Sequence, residues 1–342
     1  MDGSHPYSSL TPDAVLDALE SLGLRCDGRL LALNSYENRV YQVGLDEALP
    51  GAPPSPMPAV VAKFYRPARW TDAQILEEHA FGMELAAAEI PVVPPLAFAG
   101  RTLHESGGFR FAVFHRRGGR APELEDEKTL VWLGRFIGRI HAVGAARPFV
   151  HRPALDVASF GEEPRDHLLA SGFIPPDLVP AWKQVADLAL EGVRHAYARA
   201  GRVAAIRVHG DCHPSNVLWT PDTGNDPGGP HFVDLDDART APAVQDLWML
   251  ISGDRRSMGQ QLGRILEGYE DFREFDDREL HLVEALRTLR LIHYSAWLAR
   301  RWDDPAFPIA FPWFNTARYW QDRILELREQ VAALQEPPLV PE

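Results

Sequence analysis

The chain has 342 residues, 45% hydrophobic and 24% charged, with 35 basic against 48 acidic side chains and a formal net charge of −13. That length supports two core-bearing lobes, and the acidic balance argues against nonspecific nucleic-acid binding through phosphate neutralisation. Only two cysteines are present, Cys26 and Cys212, and no stretch approaches the roughly 20 apolar residues of a membrane helix, so a cytoplasmic protein without a disulfide framework and without membrane association is expected.

The first half reads as a small sheet around one strong helix. LLALNSYENRVYQVGL predicts two strands joined by a tight polar turn, and the proline-rich EALPGAPPSPMP that follows predicts a flexible hairpin loop. AVVAKFY, residues 59–65, is a short β-branched run carrying one lysine, Lys63, and reads as a buried strand. TDAQILEEHAFGMELAAAEIP has Thr71 as N-cap, helical spacing at Ile75, Phe81 and Leu85, and a terminating Pro91. PLAFAG and GFRFAVFHR predict two more strands, and HRRGGR at 115–120 marks a change of architecture.

Beyond that point helical periodicity dominates, over roughly 124–145, 177–200, 242–270, 277–302 and 315–334. Two polar clusters interrupt it, VHGDCHPSNVLW at 208–219 and FVDLDDAR at 232–239. Between them TPDTGNDPGGP predicts a turn-forming insert joining two short strands, NVLW and HFVD, and the tail QEPPLVPE is expected to be poorly ordered. The fold class read from this pattern is α+β with two lobes: residues 1–116 as an N-terminal nucleotide-binding lobe, and 117–342 as a mainly helical catalytic and acceptor lobe.

Phosphoryl transfer from a nucleotide needs a lysine on the phosphates, a divalent metal with oxygen ligands, and a carboxylate near the acceptor hydroxyl. The chain supplies these in order. Lys63 lies on a predicted strand, and Glu78 on the next helix can orient it. Glu77 is adjacent and equally charged, but Glu78 is preferred because Phe81, three positions on, shares its inward face. Asp211 would face the acceptor, with Asn216 and Asp234 as oxygen ligands of Mg2+. Asp211 and Asn216 stand five positions apart, the spacing of Asp and Asn in a kinase catalytic loop.

HGDCHPSN followed by FVDLDD resembles the aminoglycoside phosphotransferase and choline kinase branch of the protein-kinase-like superfamily. The blocks LNSYENRVYQ, VAKFYRP, QILEEHAF, VHGDCH, FVDLDDAR, VQDLWML and RRWDDPAFP further resemble bacterial serine/threonine protein kinases of that superfamily that act in a stress response. The resemblance spans about residues 30–315. It implies a protein-kinase-like two-lobe fold, ATP as co-substrate, Mg2+ as cofactor, and a monomer that phosphorylates a protein Ser or Thr. It also implies catalytic roles for Asp211 and Asp234, ATP contacts from Ser35, Lys63 and Glu78, and metal contacts from Asn216 and Asp234. A small-molecule kinase acting on an amino alcohol, choline or an aminoglycoside-like acceptor is the alternative reading, and a nucleotide-binding module without turnover is the second.

The departures from that pattern carry information. NSYENR stands where a glycine-rich loop would be, so Ser35 and the amides of Glu37 to Arg39 are expected at the phosphates. Asp246 follows Asp234 by only 12 residues, which leaves no room for a long activation segment. His209, Cys212 and His213 lack paired zinc-ligand spacing, so His209 is expected to brace the loop and Cys212 to be a small buried residue. Asp236 and Asp237 read as a solvated turn, the Glu77–Glu78 pair taken alone as an exposed helical face, and Asp246 as a structural acceptor for the catalytic-loop backbone. The late aromatics from Tyr294 to Phe314 read chiefly as core, with an acceptor-cleft wall as the alternative.

Overall fold

The computed structural model describes residues 5–53, 55–221 and 228–342. In chain order the first elements are α1 (Pro12–Glu20), β1 (Cys26–Ala32), β2 (Arg39–Leu45), β3 (Ala59–Phe64), α2 (Asp72–Ala87), β4 (His104–Ser106) and β5 (Phe109–His115). Next come α3 (Glu127–Ala145), α4 (Glu163–Ser171), α5 (Val179–Ala200), β6 (Ile206–Val208), β7 (Val217–Thr220), β8 (Gly229–Phe232) and β9 (Arg239–Ala241). The chain ends with α6 (Val244–Leu247), α7 (Arg255–Tyr269), α8 (Val283–Arg300), α9 (Ala306–Ala310) and α10 (Ala317–Ala333). No helix among the described residues is long and apolar enough to cross a membrane.

The chain divides into two compact units. The first gathers the described residues up to Pro122 together with Val150–Arg152 and Pro214–Asp236; the second holds the rest. Within the first, five antiparallel strands run in the order β1-β2-β3-β5-β4, and β7 pairs with β8. Alternation along β3 and β5 sends Val60, Ala62, Phe64, Phe111 and Val113 into one core with Val15 and Leu19 of α1. Lys63, between Ala62 and Phe64, is thereby delivered to the opposite face. α2 starts as predicted: Thr71 and Gln74 form a reciprocal capping box, an N-terminal lock that contributes about 1 kcal/mol.

Several local expectations are corrected here. PLAFAG is not a strand: residues 95–100 make only isolated bridges, Pro95 to Phe114 and Phe98 to Arg101, and β4 at 104–106 forms the edge instead. Pro94 and Pro95 have no N–H to give a ladder, so regular pairing is deferred to HES. The loop between β2 and β3 is anchored by Leu49, which packs on the core. α1 was not anticipated. Of the insert predicted at 220–230, residues 222–227 lie outside the described residues.

The second unit is built of packed helices. α3 crosses α7 closely because Gly134 and Gly138 face the backbone of Ile265 and Tyr269, where any Cβ would collide with main-chain carbonyls. The helix expected over 242–270 is broken into α6, a 3₁₀ turn at Trp248–Leu250, and α7, whose start is capped by Asp254. The one expected over 277–302 begins as a 3₁₀ turn at Asp277–Leu282 before α8. A π-turn at Ala158–Glu162 and α4 were not anticipated. The tail is packed rather than loose: Leu339 is buried, Arg255 donates to the carbonyls of Pro337 and Pro338, and Glu342 donates to Gly259. Of the late aromatics, Phe307, Phe311 and Phe314 are core, Tyr294, Trp297 and Trp302 are half-buried, and Trp313 is exposed.

Candidate active site

In the first unit, a cleft is lined by Ser35, Lys63, Glu78, Asn216 and Asp234, with Leu33, Val40, Val61 and Phe114 as apolar walls. Five residues assigned from sequence therefore share one cavity. Lys63 reaches it from β3, Glu78 from α2, Ser35 from the turn before β2, Asn216 from the turn into β7, and Asp234 from the loop after β8.

The Lys63 ammonium is buried and held between two carboxylates, 2.8 Å from Asp234 Oδ1 and 3.1 Å from Asp236 Oδ1. Burial pulls its pKa down, but Asp234, Asp236 and Glu78 outweigh that and hold it well above the ordinary lysine value. Asp236 corrects the expectation of a solvated turn: it is only 3% exposed and also pairs with Arg69. A carboxylate there is tolerable because two cations reach it. Asp234 sits at φ 59°, a left-handed conformation that costs a non-glycine residue about 1–2 kcal/mol and requires the surrounding loop to hold it.

No ion pair joins Glu78 to Lys63, although Glu78 was expected to hold the ammonium. Its carboxyl is buried, its Oε2 has no hydrogen-bond partner, and burial pushes its pKa up to about 7 against the downward pull of Lys63. Phe81 is buried on the same face, as the helical spacing required. Glu77 is not a bare solvated group: its carboxylate receives the backbone N–H of Val150, His151 and Arg152 at 2.5, 2.8 and 2.7 Å. Sequence reasoning missed His79 and Tyr65. The Tyr65 hydroxyl and His79 Nε2 lie 2.7 Å apart beneath Lys63, and burial pushes His79 down to about 3, keeping it neutral. The block QILEEHAF contained that signal, but only the burial of Tyr65 shows what the histidine serves.

The turn that replaces a glycine-rich loop is pinned from below. Asn38 Oδ1 accepts from Arg66 N at 3.1 Å, and the Glu37 carbonyl accepts from Arg66 Nε and the Tyr7 hydroxyl. Ser35 Oγ donates to the Asn38 carbonyl at 3.3 Å, so its hydroxyl is part of the turn while facing the cleft. Polar side chains thus do what glycines do elsewhere, fixing a tight bend.

In the second unit, Asp211 follows the buried His209 and Gly210. Asp246, 1% exposed, accepts from the N–H groups of His209 and Gly210 at 2.7 and 2.8 Å and meets His141 Nε2 at 3.0 Å. Its structural assignment to this loop's backbone is the observed one. Gly210 has φ 84°, and a Cβ there would strike the Asp237 carbonyl, so only glycine suits HGD. His209 Nδ1 accepts from Asp211 N at 3.4 Å, bracing the loop. Cys212 is buried, and burial raises its thiol pKa well above the ordinary value. The Asp211 carboxylate faces His213 at 3.5 Å and Arg290 of α8 at 2.7 Å. Burial pushes its pKa up, but these two partners more than compensate and hold it below the ordinary aspartate value. Arg290 was not anticipated; no local pattern in α8 announces it.

The phosphotransferase enzyme family matches this chain over residues 29–283. A protein named Stress response kinase A from Escherichia coli (strain K12) is 44% identical over 333 residues, 97% of this chain and 96% of that one. A Salmonella typhimurium protein named Serine/threonine protein kinase RdoA is 43% identical, covering 99% of this chain and 98% of that one. Among solved structures, an amicoumacin kinase in complex with AMP-PNP and Ca2+ superposes with a TM-score of 0.69 at 18% identity, covering 96% of this chain and 95% of that one. Antiparallel sheet and helical unit alike have the architecture of that phosphotransferase fold.

Proposed function

Because this chain belongs to the phosphotransferase enzyme family, we propose that it transfers the γ-phosphoryl group of ATP, with Mg2+, to Ser or Thr hydroxyls of a protein in a stress response. The observation that carries the reading is the buried Lys63, paired with Asp234 in a cleft that Ser35, Glu78 and Asn216 also line. Phosphate oxygens would replace the carboxylates on Lys63, Ser35 would bind the same phosphates, and the apolar walls would take the base. Nucleotide handling is thus assigned to the first unit, and acceptor handling to Asp211 in the second.

Asp234 and Asn216 fit Mg2+, a small hard ion that takes one or two carboxylates and completes its shell with phosphate oxygens and water. When bound, the metal supplies charge neutralisation at the phosphates. Asp211 would orient the acceptor hydroxyl and accept its hydrogen bond. His213 and Arg290 keep that carboxylate ionised, which suits orientation in a loose transition state better than strong basicity.

Arg290 also favours the protein acceptor over an amino alcohol, choline or aminoglycoside. It puts a guanidinium 2.7 Å from the acceptor-side carboxylate, and a cationic substrate would meet it as a like charge. One chain carries every group the reading uses, so a monomer suffices, and two free cysteines suit a reducing cytoplasm. The test is Asp234→Ala. Its metal-dependent ATP turnover should vanish while the fold, followed by circular dichroism, persists; near-normal turnover at ordinary Mg2+ removes Asp234 from the site.

A further inference from the structure

The loop from Asp234 to Asp236 holds a left-handed aspartate at one end and a buried, doubly paired aspartate at the other. Something must fix its main chain. Arg152, itself 5% exposed, does so: its guanidinium donates to the Asp236 carbonyl and, at 3.5 Å, to the Gln74 carbonyl, and it lies over the Trp70 ring at 4.4 Å. A guanidinium is suited to this because its planar fork serves two acceptors while its face packs on an aromatic ring.

Arg152 is in turn held by α2. The N–H groups of Val150, His151 and Arg152 all point at the single Glu77 carboxylate, and Gln74 Nε2 donates to the His151 carbonyl at 3.1 Å. Val150–Arg152 belongs to the first unit, although the chain on either side of it belongs to the second. These three residues carry no motif, contribute nothing to the cleft lining and are assigned no part in the chemistry above.

We infer that Arg152 is a positioning residue for the Asp234–Asp236 loop, anchored by Glu77, and that it acts on nucleotide and metal binding through that loop. The second half of the inference rests on the proposed function. Holding the Asp236 carbonyl fixes both carboxylates that meet Lys63, and with them the direction in which Asp234 is presented. Partners at one remove from metal ligands typically change metal affinity by about 10–100-fold when lost.

The experiment uses full-length Arg152→Met, which keeps length and packing but loses the donors, alongside Arg152→Lys and wild type. Amide hydrogen exchange of nucleotide-free protein is read over residues 232–238 and, as a control, over β5. Calorimetry then gives binding of a non-hydrolysable ATP analogue as Mg2+ is titrated. Arg152→Met should speed loop exchange and raise the half-saturating Mg2+ by about tenfold or more, with β5 unchanged and Arg152→Lys recovering much of both. Unchanged loop exchange in Arg152→Met overturns the inference, as does faster loop exchange with wild-type Mg2+ dependence. If wild type binds no analogue but the loop still loosens, the bracing role is supported and the proposed function is what fails. Should Arg152→Met not fold, Glu77→Gln weakens the same anchor at constant size and is read the same way.

Discussion

Lys63 meets two carboxylates at similar distances but in different solvent settings, which makes a double-mutant cycle informative. Asp234 is closer, 2.8 Å against 3.1 Å, yet its side chain is 50% exposed while that of Asp236 is 4% exposed. At these separations two unit charges attract by about 5 kcal/mol at an effective dielectric of 20, and water screens the exposed partner toward the surface value of about 1 kcal/mol or less. Burial should therefore outweigh proximity. With Lys63→Met, Asp234→Asn, Asp236→Asn and the two double variants, urea unfolding of nucleotide-free protein should give a Lys63–Asp236 coupling of about 2 kcal/mol. The Lys63–Asp234 coupling should stay below about 1 kcal/mol. Arg69 moderates the first figure because it keeps Asp236 paired when Lys63 is lost. A Lys63–Asp234 coupling equal to or larger than that for Asp236 would refute the reasoning.

Asp211→Asn should lower phosphoryl transfer by about 10²–10⁴-fold while leaving binding of a Mg2+–nucleotide analogue intact, as measured by calorimetry beside turnover; equal loss of both would make Asp211 a nucleotide or metal ligand. Arg290→Ala removes one of the groups that depress the Asp211 pKa, so that pKa rises and the acid limb of the kcat/KM profile moves to higher pH; an unmoved limb contradicts the pairing. Glu78 has a folded pKa raised from 4.5 to about 7, so its contribution favours folding below the unfolded value and is lost as pH rises through the folded one. That rise corresponds to up to about 3 kcal/mol, and Glu78→Gln should remove this dependence between pH 5 and 8 in urea melts; an unchanged profile means Glu78 does not titrate there.

The sequence was most readable where local chemistry and fold agree. Val60 to Phe64 alternates as a strand must, and a lysine in the middle of it has one face to go to; Thr71 announces a helix start, which the structure completes with Gln74 as a capping box. The polar residues Ser35, Lys63, Glu78, Asn216 and Asp234 come to one cleft although they span some two hundred residues, because each sits at a strand end, helix face or turn that the pattern already located. Pairing was less readable. Whether Lys63 takes Glu78 or Asp236 depends on where a loop in left-handed conformation carries a carboxylate, and tandem aspartates read as solvated until Arg69 is found beside them. Glu77 and Arg152 are joined only in three dimensions, and a single boundary at 116 could not foresee the return of residues 150–152 and 214–236 to the first unit. The tail looked loose from its prolines, yet Gly259 and Gly263 leave room on α7 for its backbone.

The identity of the acceptor is tested most directly by incubating wild type and Asp211→Asn with γ-labelled ATP and Mg2+ in the presence of a protein extract and, separately, a protein-free metabolite extract. The account predicts label on protein, recovered as phosphoserine or phosphothreonine after acid hydrolysis, with wild type and lost with Asp211→Asn. Label that enters the metabolite fraction while protein stays unlabelled would contradict it and make the chain a small-molecule kinase.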